Sequence, residues 1–251
     1  MNRAIGTLRA LAFYTGYACF TIAWGSLSLL IAWALPFESR FRFIIQVWTG
    51  VVLWWLRWCC GITFRVTGME HVPDKPCIVV SKHESTWETL ALQQLFSPQA
   101  TIVKRELLRI PFFGWAFALL KPIAIDRGNR RAALRALIEK GQRRLNDGIW
   151  VVLFPEGTRT EPGKVMPFQA GAGMLARSTD TPLLIVAHDA GKYWPARALV
   201  KNPGEVEVRI APPVQPMGQD TKALLGQAEH ILRGMMDQLY AEPTHTGDER
   251  S

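Results

Sequence analysis

Cys77-Ile78-Val79-Val80-Ser81-Lys82-His83-Glu84-Ser85-Thr86-Trp87-Glu88 decides the fold. Its first five residues form a short apolar run of the kind a buried strand needs. Ser-x-x-Glu at 85–88 is a capping-box pattern, so a helix is expected from Ser85 to Leu95. A buried strand that passes through a few polar residues into a helix is the repeating unit of an α/β sheet. His83 then sits in the connecting loop and Glu88 in the first helical turn. Were both residues helical, five positions would set them roughly 140° apart in projection, too far to cooperate. From a loop, the imidazole can fold back over the carboxylate. Glu88 would then fix the tautomer of one ring nitrogen and leave the other to accept a proton.

Working outward, the alternation of short apolar runs with helical stretches holds from Arg65 onward. Strands are expected at Thr101–Lys104, Pro122–Asp126, Ile149–Phe154, Leu183–Ala187 and Glu205–Ile210. Helices are expected at Arg130–Asn146, Gln169–Ser178 and Lys222–Tyr240, with an amphipathic stretch at Leu107–Leu120. The polar residues fall repeatedly just after strands. His83 follows the first, Lys104 ends the second, Arg127 follows the third, and Glu156-Gly157-Thr158-Arg159 follows the fourth. Open α/β sheets carry their ligand crevices at the carboxyl ends of strands. Lys104, Arg127 and Arg159 are therefore candidates to converge on one anion, arginine by its planar fork and lysine by a flexible charge. Gly157 lets backbone N–H groups approach a phosphate closely. A base with an orienting acid beside an anion cradle suits transfer of an acyl group to a phosphorylated alcohol. Backbone N–H groups near His83 or Gly157 are the candidates to hold the oxyanion.

Each residue also has a plainer reading. Glu88 alone is as well explained as a helix cap, and a lone histidine before a helix is more often a solvated loop residue. His83-Glu84-Ser85-Thr86-Trp87 begins like His-Glu-x-x-His but has tryptophan where a second ligand belongs, and no Cys-x-x-Cys pair occurs, so no metal site is expected. His188 has no obvious partner and reads as structural or substrate-facing. Phe112, Phe113, Trp115 and Phe117 read equally as the lining of an acyl channel and as the core face of a helix.

Taken together, His-x4-acid and Phe154-Pro155-Glu156-Gly157-Thr158-Arg159 resemble the 1-acylglycerol-3-phosphate acyltransferases, over about Gly68 to Pro213. The resemblance implies an α/β fold with a mixed sheet flanked by helices, and a membrane-bound enzyme. Its acceptor would be a lysophospholipid and its donor acyl-CoA or acyl-carrier protein. No cofactor is expected beyond that co-substrate. The implied catalytic residues are His83 as base and Glu88 as its carboxylate partner. The implied phosphate-binding residues are Glu156, Gly157, Thr158 and Arg159, with Lys104 and Arg127 in two further motifs. The chain departs from the family in carrying Glu88 where aspartate is usual. Lysophosphatidic acid, converted to phosphatidic acid, is the expected acceptor. Another lysolipid such as a lyso-ornithine lipid, or a membrane-anchored binding module that has lost catalysis, are the alternatives.

Ahead of this region lies a different composition. Ala10 to Phe37 carries no charge, and a helix of that length reaches roughly 42 Å. Phe43 to Leu56 is also uncharged but would make only about 21 Å of helix, too short to span comfortably. Trp48, Trp54, Trp55 and Trp58 crowd it, as interface residues do. Residues 1–64 are therefore expected to form a membrane-associated helical hairpin, 65–242 the catalytic domain and 243–251 a polar tail. The net charge of +8 suits an anionic membrane, an acidic carrier or a phosphorylated substrate. No nucleic-acid recognition motif accompanies it. Four cysteines without framework spacing fit a reducing compartment. The expected location is the cytoplasmic face of a bacterial inner membrane.

Overall fold

The computed structural model describes residues 3–126 and 128–241. The chain opens with α1 (Arg3–Ile31), followed by a short α2 (Phe37–Phe41), a π-helical turn at Arg42–Gln46, and α3 (Val47–Cys60). Seven strands then alternate with five helices. They are β1 (Ile62–Thr67), β2 (Ile78–Ser81), α4 (Trp87–Leu95), β3 (Gln99–Lys104), α5 (Phe113–Ala118), β4 (Ile123–Ile125), α6 (Arg130–Asn146), β5 (Trp150–Leu153), α7 (Gly171–Thr179), β6 (Leu183–His188), β7 (Gly204–Ile210) and α8 (Thr221–Ala241). The strands form one sheet in the order β1-β7-β6-β2-β5-β3-β4. Every neighbouring pair is parallel except β6 with β7. This is the expected mixed sheet flanked by helices.

Both faces of the central strands are covered, which is why their sequences read as continuous apolar runs rather than alternating ones. Val79, Leu184 and Val186 face one layer with Phe13, Trp48, Trp87 and Phe117. Ile78, Val80, Ile185 and Ala187 face the other, with Leu137, Leu175, Leu232 and Met236. The first layer holds α1, α3, α4 and α5, and the second α6, α7 and α8.

Two boundaries differ from expectation. The sheet begins at Ile62, three residues before the expected domain start at 65, because β1 follows α3 with only Gly61 between them. Gly61 closes α3 in the left-handed region (φ 68°), its N–H donating to the Arg57 carbonyl at 2.9 Å. With no loop to break the apolar run, helix and strand read as one. Helical structure also extends outward from the uncharged stretch 43–56. The segments Arg3–Ala34 and Phe37–Cys60 are both long and apolar enough to cross a membrane by length and composition. The charges at Arg40, Arg42 and Arg57 do not end the second helix. Residues 243–251, expected as a polar tail, lie outside the described residues.

α1 packs antiparallel against α3 and the π-helical turn before it, with successive contacts at Arg9–Cys59, Gly16–Trp55, Thr21–Trp48 and Trp24–Phe43. Gly16 is required there, since a Cβ would lie 2.3 Å from the Trp55 indole nitrogen. The hairpin is seated on the sheet rather than independent of it. Phe13 meets Trp194 edge-to-face at 5.4 Å. The Gln94 side chain of α4 donates to the Gln46 carbonyl at 2.7 Å. Lys201 is buried beneath α1, its ammonium 3.8 Å from the centre of the Tyr14 ring and 4.6 Å from that of Trp194, an arrangement that cation–π attraction favours. Burial nevertheless pushes the Lys201 pKa down to about 8.

Candidate active site

The site is built at the carboxyl ends of β2 and β5, adjacent strands in register at Val80 and Leu153. β2 stops at Ser81 because the polar residues 82–85 leave the ladder for partners of their own. α4 starts at Trp87, two residues after the expected Ser85, with Thr86 at its N-cap. The Ser85–Glu88 pair forms only half of the capping box, the carboxylate reaching back to the Ser85 N–H. The Ser85 hydroxyl accepts from the Trp87 N–H at 3.1 Å, and the Glu88 carboxylate accepts from the Ser85 N–H at 3.0 Å. The plain reading and the chemical reading of Glu88 are therefore both correct, and one atom serves both. Glu88 Oε1 also accepts from His83 Nδ1 at 2.7 Å and from the Glu84 N–H at 3.2 Å.

Glu88 is fully buried. Burial pushes its carboxyl up, but the hydrogen bond from His83 and the nearby imidazoles outweigh that, and its pKa is lowered. A carboxylate on Nδ1 leaves Nε2 as the outward nitrogen of His83. The ring plane is set by Phe154, stacked on it at 4.1 Å with 17° between planes.

Beneath the histidine lies a buried polar floor that local sequence patterns did not reveal. Lys82 and Glu156 form a fully enclosed ion pair, with Nζ at 3.1 and 2.9 Å from the two carboxylate oxygens. The Thr160 hydroxyl is a further partner of Lys82. Glu156 also accepts from the His83 N–H at 3.2 Å and the Met166 N–H at 2.9 Å. The Thr160 N–H returns to the His83 carbonyl at 2.9 Å. This corrects the expectation for Glu156. Its carboxylate is turned inward and occupied by four donor contacts, so it holds the His83 loop rather than a phosphate, which its charge would repel.

A second buried carboxylate braces the other side of the loop. Glu84 accepts from the Gly191 N–H (2.9 Å), the Gly163 N–H (3.0 Å) and the Tyr240 hydroxyl (2.8 Å). Burial raises its pKa against these bonds. The Ser85 hydroxyl donates to the Trp194 carbonyl at 2.7 Å. Fully buried and committed to the helix cap, it is not placed as a nucleophile.

The remaining candidates separate into outward and inward groups. Gly157 adopts φ 71°, a left-handed conformation that residues with a side chain rarely adopt, and a Cβ there would also displace the Gln169 amide, so glycine is favoured. Thr158 and Arg159 are exposed just beyond it. Lys104 is exposed at the carboxyl end of β3, three residues past the Thr101–Val152 pair and so level with the turn after β5. Arg127 lies outside the described residues. His188 is buried rather than substrate-facing. Of the backbone groups near His83 and Gly157 expected to bind an oxyanion, the His83 N–H is engaged by Glu156 and the Gly157 N–H by the Phe154 carbonyl at 3.0 Å. Of the aromatic residues at 112–117, Phe113 and Phe117 join the core toward the hairpin, Phe113 meeting Trp48 at 5.4 Å. Trp115 is exposed.

The chain is similar to several known proteins. The family model described as Acyltransferase matches residues 63–189, a span containing both motifs. A 1-acyl-sn-glycerol-3-phosphate acyltransferase of Pseudomonas aeruginosa is 44% identical over 220 residues, 88% of this chain and 86% of that protein. The human 1-acyl-sn-glycerol-3-phosphate acyltransferase alpha is 30% identical over 199 residues, 77% of this chain and 70% of that one. The crystal structure of the 1-acyl-sn-glycerophosphate (LPA) acyltransferase PlsC from Thermotoga maritima superposes with a TM-score of 0.81 at 27% identity. It covers 97% of this chain and 99% of that one, hairpin included. With the histidine–carboxylate pair formed and the motifs placed at one sheet edge, the chain belongs to the 1-acyl-sn-glycerol-3-phosphate acyltransferase family.

Proposed function

We propose that the protein transfers a fatty acyl group from a thioester, acyl-CoA or acyl-carrier protein, to the free hydroxyl of lysophosphatidic acid, giving phosphatidic acid. The observation that carries this reading is the 2.7 Å bond between His83 Nδ1 and a buried Glu88 carboxylate, on a ring that faces outward at the sheet's ligand edge. His83 Nε2 takes the hydroxyl proton as the oxygen attacks the thioester carbonyl. The C–S bond then breaks, and the proton passes to the departing thiolate. Glu88 stabilises the imidazolium formed in between. A thioester is already activated, so no acyl-enzyme is needed. The intact pair argues against an inactive binding module, because the longer Glu88 side chain still reaches the histidine.

The acceptor's phosphate is assigned to Arg159 and Lys104, exposed cations at the same edge of adjacent elements. Turnover of purified protein with lysophosphatidic acid and phosphate-free lysolipids, each with both donor types, tests the reading directly. Arg159→Ala is expected to cost activity mainly with lysophosphatidic acid, with Lys at this position rescuing only in part because it lacks the bidentate fork. An equal loss with both acceptor classes would assign Arg159 to the donor or the fold. The hairpin, with exposed Leu30, Trp33, Trp54 and Trp58, is assigned to the membrane, and the catalytic domain to its cytoplasmic face.

Glu88→Gln separates the two duties of that residue. The amide oxygen can still accept from the Glu84 and Ser85 N–H groups, so stability is expected to change by no more than about 1 kcal/mol, the scale of a cap. The negative charge beside His83 is lost, and most turnover with it. Parent-like turnover of a stable Glu88→Gln protein would reduce Glu88 to a helix cap.

A further inference from the structure

Glu88 is used asymmetrically. Oε1 receives three donors, while the equally buried Oε2 has no hydrogen-bond partner among the described residues. The polar side-chain atom brought toward it is Nε2 of His188, at 4.0 Å. His188 ends β6, the strand beside β2 on the opposite side from β5, and is 1% exposed. The Ala190 N–H points at its Nδ1 at 3.3 Å, which makes Nδ1 an acceptor and places the ring proton on Nε2. That Nε2–H donates to the Lys82 carbonyl at 3.0 Å, one residue before His83, and its positive edge faces Glu88 Oε2. Glu84 flanks the other ring nitrogen at 4.0 Å, and Asp189 follows in the chain.

We propose that His188 is a positioning residue for the reaction assigned above: it holds the Lys82–His83 backbone and, by facing Oε2, holds the carboxylate plane of Glu88 in the orientation that serves His83. The physical basis is the low dielectric of a closed site, where an N–H dipole a few ångströms from a buried carboxylate oxygen acts strongly. A carboxylate whose second oxygen has no such neighbour is freer to rock about its terminal bond and tilt away from its donors. With His188 facing Oε2 at 4.0 Å that tilt is resisted, and the donor set on Oε1 stays assembled as His83 gains charge. The arrangement also gives a reason for glutamate at position 88. A carboxyl one methylene shorter that kept its bond to His83 would be drawn back from His188. In this chain the longer arm lets one carboxylate meet two imidazoles.

The proposal rests on the reading of His83 and Glu88 as the catalytic pair, and two measurements keep the two apart. The first needs no turnover. Imidazole ¹⁵N spectra of the full-length protein in detergent micelles should show His188 as the neutral Nε2–H tautomer, with its Nε2 resonance shifted by Glu88→Asp. A protonated Nδ1, or no response to Glu88→Asp, overturns the proposal. The second is a double-mutant cycle in acyl transfer. His188→Phe should lower kcat by about tenfold or more in the parent but by about twofold or less in the Glu88→Asp background, with the KM for lysophosphatidic acid little changed, a coupling typical of contacting residues. Gln at position 188, which keeps a donor near the place of Nε2, should recover activity, whereas His188→Asn, which mimics Nδ1, should not. Equal losses in both backgrounds, or equal activity of the Gln and Asn variants, overturns the proposal, and the Gln–Asn comparison decides if His188→Phe does not fold.

Discussion

His83→Ala is expected to lower acyl transfer by about 10²–10⁴-fold, the usual cost of losing a general base, while the protein folds and retains its membrane association. The fold tolerates the change because the loop is held by its backbone. The His83 N–H is anchored on Glu156 and its carbonyl on the Thr160 N–H. Glu88 keeps two amide donors without the imidazole. What disappears is the Nδ1 bond and the face-to-face contact with Phe154. Turnover and a thermal melt on the same preparation check this together. A folded His83→Ala protein that keeps more than about a tenth of parental turnover would remove the mechanism, since general-base loss costs at least tenfold more than that.

The largest structural effect is expected at the ion pair under the site. Glu156→Gln leaves the Lys82 ammonium buried without a countercharge. Removing one member of a buried pair typically costs about 3–5 kcal/mol. Replacing both, as Lys82→Met with Glu156→Leu, removes the uncompensated charge and should be much less destabilising than Glu156→Gln alone. Turnover should nonetheless stay low in the double variant, because the His83 and Met166 N–H groups lose their acceptor. Denaturant unfolding of the three proteins provides the comparison. A Glu156→Gln protein as stable as the parent would show that the pair is not a structural keystone.

Much of the fold was legible because its local rules agree. The capping-box pattern at 85–88 located α4 to within two residues, and Arg130–Asn146 matched its expected bounds at both ends, with Asn129 as cap and Gly148 just beyond. Apolar runs marked the central strands because both faces are covered. β1 was lost where a left-handed glycine joined helix to strand without a loop. His83 and Glu88 lie five residues apart, so their partnership could be read from spacing. Lys82 and Glu156 lie 74 residues apart, and only the parallel pairing of β2 with β5 unites them. The same holds for Tyr240 and Glu84, joined across 156 residues. A motif carboxylate beside an arginine reads as part of an anion site. That Glu156 points inward depends on Lys82, whose burial no local pattern signals.

One atom, Glu88 Oε1, terminates both the amide groups that lead into α4 and the imidazole to which we assign the chemistry. Catalytic competence and local unfolding are therefore two views of one equilibrium. When the first turn of α4 frays, the carboxylate leaves the histidine in the same event, so no molecule has an open helix start and an assembled base. The exchange of the Glu84 and Ser85 amide protons with solvent thus counts the fraction of protein that is momentarily silent. A substitution far from the site that loosens α4 would be read in an assay as lost enzyme rather than as a slower one.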